Sequence, residues 1–404
     1  MTRYNTKLMQ IKTSNMKPRT HINSLTNLLF FIGCFLLSSL SHAANNVPVA
    51  PKLAAEGYVL KDFNSGQIIA ENNGDQRMEP ASLTKMMSTY VISHELKSGN
   101  ITMQDKVTIS KKAWRMPGSR MFVEVGKQVD VENLLKGIII QSGNDATVAM
   151  AEYVAGSEGA FASLMNNYAQ QLGMTGTNFV NSTGLPDPEH YTTPRDMATL
   201  GSALIRDFPE HYKIYAVKKF TFNNITQYNR NKLLWRDKHV DGIKTGHTES
   251  AGFCLVASGV RDDMRLVSVV LGTESESARV QESQKLLSYG FRFFRSHKLY
   301  DANTEISATD IYKGVEDKVS LGLLKDLYIT IPRGQYKQLK PSISFESIIE
   351  APINKHQVLG NLKVTLNDDT IAERSLVALQ EVEQGSWWKR LKDWFVLLVK
   401  GWFG

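Results

Sequence analysis

Three apolar segments between residues 243 and 271 have the length of strands and follow one another closely. A polar turn at 261–263 separates the second from the third, and a helical pattern over about 275–294 comes next. A hairpin pattern over 58–71 stands at the other end of the same region. Strands at both ends, with helices between and after them, predict an α/β (α+β) fold in which an antiparallel sheet is flanked by helices. The three segments are Ile243–Gly246, Phe253–Ser258 and Leu266–Leu271.

The pattern changes near residue 297, where short strand-like segments separated by Pro and Gly turns take over. Clusters of catalytic residue types are absent from this stretch. A chain of 404 residues is long enough for two domains with additional end segments. We therefore predict a catalytic domain over 44–296, a small all-β domain over 297–384 and a C-terminal helix over 385–404.

The first 43 residues have the pattern of a secretory signal peptide. Five basic residues and no acidic residue accompany an apolar run, Leu28 to Leu40, that is short for a bilayer span. Ser41-His42-Ala43 then supplies small residues before a cleavage site at Ala44. An uncleaved membrane anchor is the alternative, and Cys34 leaves a lipoprotein signal as a further one. After cleavage Cys254 is the single cysteine, and we expect it to be buried in a strand.

The net charge of +7 is concentrated in that N-terminal segment, which carries five of the charges. The remainder is close to neutral, so its charge provides no argument for nucleic-acid binding. The tail over 386–404 alternates apolar and basic residues at helical spacing and is too short and too charged to span a membrane. We expect it to lie on a membrane surface, with docking on the protein's own core as the alternative. Its apolar positions are Trp387, Leu391, Trp394, Phe395, Leu398 and Trp402.

Ser82 and Lys85 stand three residues apart where a predicted helix over about 82–96 begins. This spacing places both side chains on one face of a helix, within reach of each other. A serine hydroxyl becomes a nucleophile when a neighbour takes its proton, and a lysine can do so when burial or a second cation lowers its pKa. Lys244 is the expected second cation. Alone, a serine at such a position is most often a helix cap.

Ser142-Gly143-Asn144 interrupts a helical stretch over about 131–155 with a hydroxyl, a flexible residue and an amide. Ser142 can pass a proton toward a leaving nitrogen, and Asn144 can hold a substrate amide or a lysine. In isolation such a tripeptide is most often a plain turn.

Lys244-Thr245-Gly246 lies at the end of a predicted strand, where a glycine allows another backbone to approach closely. A substrate peptide can therefore lie along this edge as an added strand. Thr245 and His247 supply further polar contacts. Because no Ser/His/Asp arrangement surrounds His247, we assign it a binding or backbone role.

These clusters closely resemble those of the serine D-alanyl-D-alanine carboxypeptidases of peptidase family S11, which are low-molecular-mass penicillin-binding proteins. The resemblance covers nearly the whole chain after the signal segment. It implies a penicillin-recognising α/β/α domain followed by a β-rich domain that holds the enzyme off the membrane. The supporting segments are Glu79-Pro80-Ala81-Ser82-Leu83-Thr84-Lys85-Met86, Gln141-Ser142-Gly143-Asn144-Asp145-Ala146, Asn181-Ser182-Thr183-Gly184-Leu185 and Asp241-Gly242-Ile243-Lys244-Thr245-Gly246-His247-Thr248.

The resemblance also implies residue roles. Ser82 is the expected acylated nucleophile, Lys85 its general base, Ser142 the proton relay and Asn144 a positioning residue. The backbone N–H groups of Ser82 and His247 would form the oxyanion hole. Arginine suits carboxylate binding because it stays charged and can grip both oxygens. The residues expected to bind the substrate are Lys244, Thr245, Gly246, His247, Arg279 and Arg230.

The implied activity is removal of the terminal D-alanine from peptidoglycan pentapeptide stems, in support of cell-wall remodelling and cell shape. β-Lactams would acylate the same serine as covalent inhibitors. We expect an exported protein on the periplasmic face of the bacterial inner membrane, without a cofactor or metal, as a monomer or weak homodimer.

Three alternative functions stay open from the residues. A class A β-lactamase uses an added glutamate to activate water, and no such motif stands between Asn144 and Lys244. A D,D-endopeptidase would act on cross-links, and a non-catalytic wall-binding scaffold would retain only the fold. A metallopeptidase is disfavoured because the nine histidines show no H-E-x-x-H or comparable spacing.

Overall fold

The structure is a computed structural model that describes residues 47–345 and 348–403. The predicted signal segment, residues 1–43, lies outside the described residues. The strands up to residue 273 are β1 (Gly57–Asp62), β2 (Ile68–Asn72), β3 (Lys106–Thr108), β4 (Gln128–Asp130), β5 (Lys219–Phe222), β6 (Ile225–Tyr228), β7 (Val240–Thr248), β8 (Gly252–Arg261) and β9 (Met264–Thr273).

The main sheet has five antiparallel strands in the order β2-β1-β9-β8-β7. The first and last parts of this region therefore pair directly, with Val59 opposite Val269. This confirms the predicted hairpin, the three predicted strands and the antiparallel sheet. Strand β7 lies at an edge, with its Lys244 opposite Val256 of β8.

Helices surround this sheet, and their ends follow recognisable sequence signals. Thr193 caps one helix by accepting a hydrogen bond from the Asp196 backbone N–H at 3.1 Å, and Pro194 occupies its first position. Ser275 caps the long helix that follows β9 in the same way. The helices are α1 (Lys85–Lys97), α2 (Lys111–Trp114), α3 (Val131–Lys136), α4 (Asn144–Ala155), α5 (Glu158–Gln171), α6 (Pro194–Asp207), α7 (Pro209–Tyr212), α8 (Leu233–Arg236) and α9 (Glu276–Phe293).

Side-chain alternation along the strands divides the core into two layers. Val59 and Val256 belong to a large buried cluster that includes residues of α1, α4 and α6. Their neighbours Leu60 and Leu255 belong to a second buried cluster with Leu286 of α9. The sheet thus has buried apolar side chains on both faces, which is the α/β/α arrangement implied by the family resemblance.

A separate apolar cluster fills the β-rich region that follows α9. Its strands are β10 (Phe294–Tyr300), β11 (Ser307–Asp310), β12 (Lys318–Gly322), β13 (Leu327–Pro332), β14 (Leu339–Phe345), β15 (Val358–Leu366) and β16 (Asp369–Ala378). Strands β10 and β13 pair with each other, and the other five form an antiparallel sheet in the order β11-β12-β16-β15-β14. The predicted strand-rich character of this region is confirmed.

The predicted C-terminal helix is present as α10 (Trp387–Phe403). Polar residues attach it to the β-rich region: the carboxylate of Asp393, 5% exposed, accepts a hydrogen bond from the Lys313 backbone N–H at 2.6 Å. Trp388 and Phe395 remain exposed, at 71% and 55%. Across residues 47–345 and 348–403, none of the helices has the length and apolar character needed to span a bilayer.

Candidate active site

Ser82 lies in a tight 3₁₀ turn, Ala81–Thr84, that precedes α1. The prediction that the α-helix begins at Ser82 is therefore wrong by one turn. The turn closes through the Leu83 N–H and the Pro80 carbonyl at 3.0 Å, and Ala81 has φ of +47°. Two glycines make room for it: a Cβ atom on Gly184 would lie 1.7 Å from the Ala81 carbonyl oxygen, and one on Gly246 would lie 2.9 Å from that of Pro80.

Lys85, the first residue of α1, lies directly behind Ser82. Its Nζ atom is 3.0 Å from Ser82 Oγ and 2.6 Å from the Thr183 carbonyl oxygen. The side chain has no exposed surface. Burial, followed by the charge of Arg230, lowers the pKa of Lys85 to about 7, while Asp145 opposes the change. A large share of Lys85 is therefore neutral at neutral pH and able to accept a proton from Ser82.

Ser142 occupies the predicted break between two helices. A π-helical turn, Gly137–Gln141, ends at Ser142, which has φ of +67° and ψ of +35°, and α4 begins two residues later. This left-handed conformation turns the chain sharply between the two helical segments. The Ser142 hydroxyl oxygen accepts a hydrogen bond from Lys244 Nζ at 2.8 Å, and both residues are buried.

Lys244 reaches Ser142 from β7 and also donates to the Thr245 carbonyl at 3.1 Å. Burial, and then the charge of Lys85, lowers the pKa of Lys244 well below 10.5. The expected interaction between the two amines is present, since the charge of Lys85 acts on the buried Lys244 amine. Arg230 is a further cation that lowers the pKa of Lys85, a role that the sequence did not indicate.

Asn144 and Asp145 hold the loop over residues 117–123, part of which lines the catalytic cavity and which we call the covering loop. Asn144 Nδ2 donates to the Pro117 carbonyl at 2.7 Å, and its backbone N–H donates to the Ser119 carbonyl at 2.7 Å. The buried Asp145 carboxylate accepts backbone hydrogen bonds from residues 121, 122 and 123 at 2.9, 2.9 and 3.2 Å. Charge-assisted bonds of this kind fix a loop in place. No hydrogen bond joins Asn144 to Lys85 in the described chain, although the sequence allowed one.

The end of β7 brings Thr245, Gly246 and His247 to the cavity. His247 is exposed and packs on Phe253, with ring centroids 3.9 Å apart. Arg279 of α9, 4% exposed, donates to the Gly246 carbonyl at 3.2 Å and to Glu276 at 3.0 Å. Its buried Nε atom has no hydrogen-bond partner within the described residues.

Arg230 lies on the segment that follows β6. Its Nε atom donates to the Gln141 carbonyl at 3.2 Å, which connects it to the chain just before Ser142. The neighbouring Asn231 donates from Nδ2 to the Gly242 carbonyl at 2.9 Å, so the same segment also contacts β7. Arg230 is thus held in place at the wall of the cavity, which it lines together with Ser82 and Ser142.

One cavity of about 430 Å³ collects these groups. Eight of the ten predicted site residues line it, and the other two, Lys85 and Lys244, lie buried and hydrogen-bonded to lining serines. Two serine hydroxyl groups therefore line the cavity, and each is hydrogen-bonded to a buried lysine amine. The eight residues are Ser82, Ser142, Asn144, Arg230, Thr245, Gly246, His247 and Arg279.

Several residues that shape the site had no role predicted from the sequence. The Thr183 carbonyl accepts a hydrogen bond from Lys85, and Gly184 leaves space for the turn that contains Ser82. Asp145 holds the covering loop through backbone hydrogen bonds. His190 is buried and shares a 2.8 Å hydrogen bond with Thr84, and burial lowers its pKa to about 4. The motif segments around residues 145 and 183 were available in the sequence, but their roles depend on contacts across the fold. Among residues 47–345 and 348–403, no group of His, Cys, Asp or Glu side chains could hold a metal ion.

Two family models match this chain. The model described as D-alanyl-D-alanine carboxypeptidase, Peptidase_S11, matches residues 44–275. The model for the penicillin-binding protein 5 C-terminal domain matches residues 294–384. Together they account for both the site-bearing region and the β-rich region.

Individual relatives agree with the family models. D-alanyl-D-alanine carboxypeptidase DacA of Escherichia coli K12 is 45% identical over 384 residues, which cover 92% of this chain and 95% of that protein. The crystal structure of penicillin binding protein 5 from Haemophilus influenzae has a TM-score of 0.82 and 45% identity, and the match covers 83% of this chain and 100% of that one. Penicillin-Binding Protein D2 of Listeria monocytogenes, solved in its ampicillin-bound form, has a TM-score of 0.56 and 26% identity, covering 60% of this chain and 100% of that one.

The chain therefore belongs to the D-alanyl-D-alanine carboxypeptidases of peptidase family S11. It shares the penicillin-binding protein 5 fold, including the small β domain.

Proposed function

We propose that this chain is a serine D-alanyl-D-alanine carboxypeptidase that removes the terminal D-alanine from peptidoglycan pentapeptide stems. The observation that carries the proposal is the fully buried Lys85 amine 3.0 Å from Ser82 Oγ. A lysine with a pKa near 7 is suited to take the hydroxyl proton during attack on a peptide carbonyl.

The proposed acylation step follows from the pairing of hydroxyls and amines. Ser82 Oγ attacks the carbonyl carbon of the penultimate D-alanine while Lys85 accepts its proton. The C–N bond then breaks, and the leaving amine takes a proton through the Ser142 hydroxyl, which Lys244 holds in place. The products are an ester on Ser82 and free D-alanine. Water then hydrolyses the ester, regenerating Ser82 and releasing the shortened stem.

The same cavity contains groups suited to the ends of this substrate. The Arg279 guanidinium, with Thr245 and Lys244, would bind the terminal carboxylate. Asn144 would position the substrate amide, and Arg230 would support the carboxylate region. The backbone N–H groups of Ser82 and His247 would stabilise the oxyanion of the tetrahedral intermediate.

The test uses the purified chain without its first 43 residues. Intact mass should show one penicillin adduct on the protein, and a pentapeptide ending in D-Ala-D-Ala should release D-alanine. Ser82→Ala should abolish both, while Ser65→Ala, a serine in the hairpin turn, should abolish neither. An adduct that persists in Ser82→Ala would remove the proposed nucleophile.

Two related activities share this acyl-enzyme chemistry. A β-lactamase needs an acidic group to activate the deacylating water. In the described chain, the single carboxylate lining the cavity is Glu276, and Arg279 already engages it. Comparing the turnover of penicillin and of pentapeptide separates these activities, and cross-linked muropeptides test for endopeptidase activity.

We further propose an exported protein, anchored on the periplasmic face of the inner membrane through α10. The polar side of α10 is bonded to the β-rich region through Asp393, which leaves Trp388 and Phe395 available for lipid. Cosedimentation with phospholipid vesicles should fall when both aromatics become Ser. The matched change of exposed Trp114 and Phe122 to Ser should leave it unaltered. Sedimentation equilibrium would test the expected monomer or weak homodimer.

A further inference from the structure

An exposed tryptophan surrounded by cations lies outside the catalytic cavity. Trp235 of α8 is 45% exposed. The Nζ atoms of Lys218 and Lys232 lie 5.7 and 5.6 Å from the centre of its ring, and exposed Arg236 is the next residue. We call these four residues the Trp235 patch.

The cations of the Trp235 patch have no anionic partner in the described chain. Neither lysine, nor Arg236, has a carboxylate within ion-pair distance. The neighbouring carboxylates are engaged elsewhere, since Asp237 accepts a hydrogen bond from the His239 N–H and Glu276 is bonded to Arg279. Two lysines beside one ring and an arginine on the next residue, none of them paired with a carboxylate among the described residues, favour an anionic ligand.

The patch borders a second cavity, which shares one lining residue with the catalytic cavity. Lys232, Arg236, Ser277 and Val280 line this cavity of about 430 Å³. Glu276 lines both this cavity and the catalytic one. A ligand in the second cavity would therefore lie beside the arginine end of the catalytic cavity, where Arg279 is bonded to Glu276.

We propose that the Trp235 patch binds carboxylates of a neighbouring strand of the peptidoglycan polymer. This inference rests on the proposed function, which places the terminal carboxylate of the reacting stem at Arg279. Because that stem ends there, a group beyond Glu276 must come from a different part of the polymer. Stem peptides carry free carboxylates that pair with Lys232 and Arg236, and glycan sugars can pack on the indole face.

The predicted consequence is a preference for polymer over soluble substrate. A soluble pentapeptide is too short to occupy both cavities, so the patch should contribute nothing to its hydrolysis. Intact peptidoglycan can occupy both sites at once, which raises its apparent affinity.

The test compares Lys232→Glu/Arg236→Glu with the charge-matched control Lys325→Glu/Lys355→Glu, in which two exposed lysines of the β-rich region are reversed. Cosedimentation with purified peptidoglycan sacculi should weaken about tenfold for the patch variant alone. Its kcat/KM on soluble pentapeptide should stay within about twofold of the parent protein. Amidating the sacculus carboxylates should remove the difference between parent and patch variant.

The outcomes separate this inference from the proposed function. If parent and patch variant sediment equally with sacculi, the inference is wrong whatever the pentapeptide assay shows. If the patch variant instead loses only binding to anionic phospholipid vesicles, the ligand is a membrane and the inference is again wrong. If the parent protein hydrolyses no pentapeptide, the proposed function fails, while sedimentation still reports on the patch.

Discussion

The Nζ atom of Lys85 lies 3.0 Å from the Oγ atom of Ser82 and has no contact with solvent. The two residues belong to consecutive elements, a 3₁₀ turn and the α-helix that it leads into. Burial lowers the pKa of the amine, and the short distance places the neutral amine where it can accept the proton of the serine hydroxyl. The proposed activation of Ser82 by Lys85 would therefore depend on one contact and on the exclusion of water.

The first prediction concerns pH. Because only neutral Lys85 can accept the Ser82 proton, the rate of penicillin acylation should fall as pH drops through about 7. Well below that value it should fall about tenfold per pH unit. Stopped-flow acylation between pH 5 and 9 measures this, with circular dichroism confirming that the protein stays folded. A rate independent of pH over this range would contradict a lysine base.

The second prediction concerns Arg230, whose charge contributes to the lowered pKa of Lys85. Arg230→Gln should raise the pKa of Lys85 and move the acidic limb of the acylation profile to higher pH. Acylation at neutral pH should slow several-fold as a result. Arg230→Lys keeps the charge and should leave the limb in place. If the acidic limb of the acylation profile lies at the same pH in both variants, Arg230 acts only through contacts with the ligand.

The third prediction concerns Asp145, whose carboxylate accepts backbone hydrogen bonds from three consecutive residues of the covering loop. Asp145→Asn replaces one accepting oxygen with an NH₂ group, which cannot accept hydrogen bonds from the backbone N–H groups that face it. We therefore expect a loss of about 3 kcal/mol in the free energy of unfolding. Asp368→Asn, in an exposed pair 3.7 Å from Lys340, should change it by less than about 0.5 kcal/mol. Urea denaturation compares them. Equal effects would show that the loop does not depend on Asp145.

The fourth prediction concerns Gly184. A Cβ atom there would lie 1.7 Å from the Ala81 carbonyl oxygen, and the residue has φ of +82°. Gly184→Ala should therefore shift the Ser82 turn and lower the unfolding midpoint by far more than Gly99→Ala. Gly99 has a similar φ of +75° but nothing within 4 Å, so its change costs about 1 kcal/mol. Thermal unfolding and penicillin labelling of both variants test this, and similar midpoints would refute the close approach.

Several features of the fold and the site could be predicted from local sequence. The strands of the main sheet coincide with apolar runs of strand length. The helix after Thr193 begins at the position that its capping residue and its proline indicate. The Ser82–Lys85 contact follows from a spacing of three residues. Such patterns act over a few residues, so they can be recognised without knowledge of the rest of the chain.

Other features depend on residues far apart in sequence. Arg230 contributes to the lowered pKa of Lys85 although it stands 145 residues away in the sequence, and the fold also buries Lys244 beside Ser142. The 3₁₀ turn at Ser82 forms where Gly184 allows the backbone of another segment to approach. The Trp235 patch borders a second cavity that shares Glu276 with the catalytic cavity, because α8 lies beside the start of α9.

The sequence by itself determined the family, the chemical groups of the site and the strand and helix pattern, because each depends on residue type and short spacing. The tertiary structure decided that Lys244 is buried against Ser142, that the charge of Arg230 acts on Lys85, and which face of the C-terminal helix stays exposed. Burial and charge–charge distances between remote segments set these properties, and they exist only once the chain has folded.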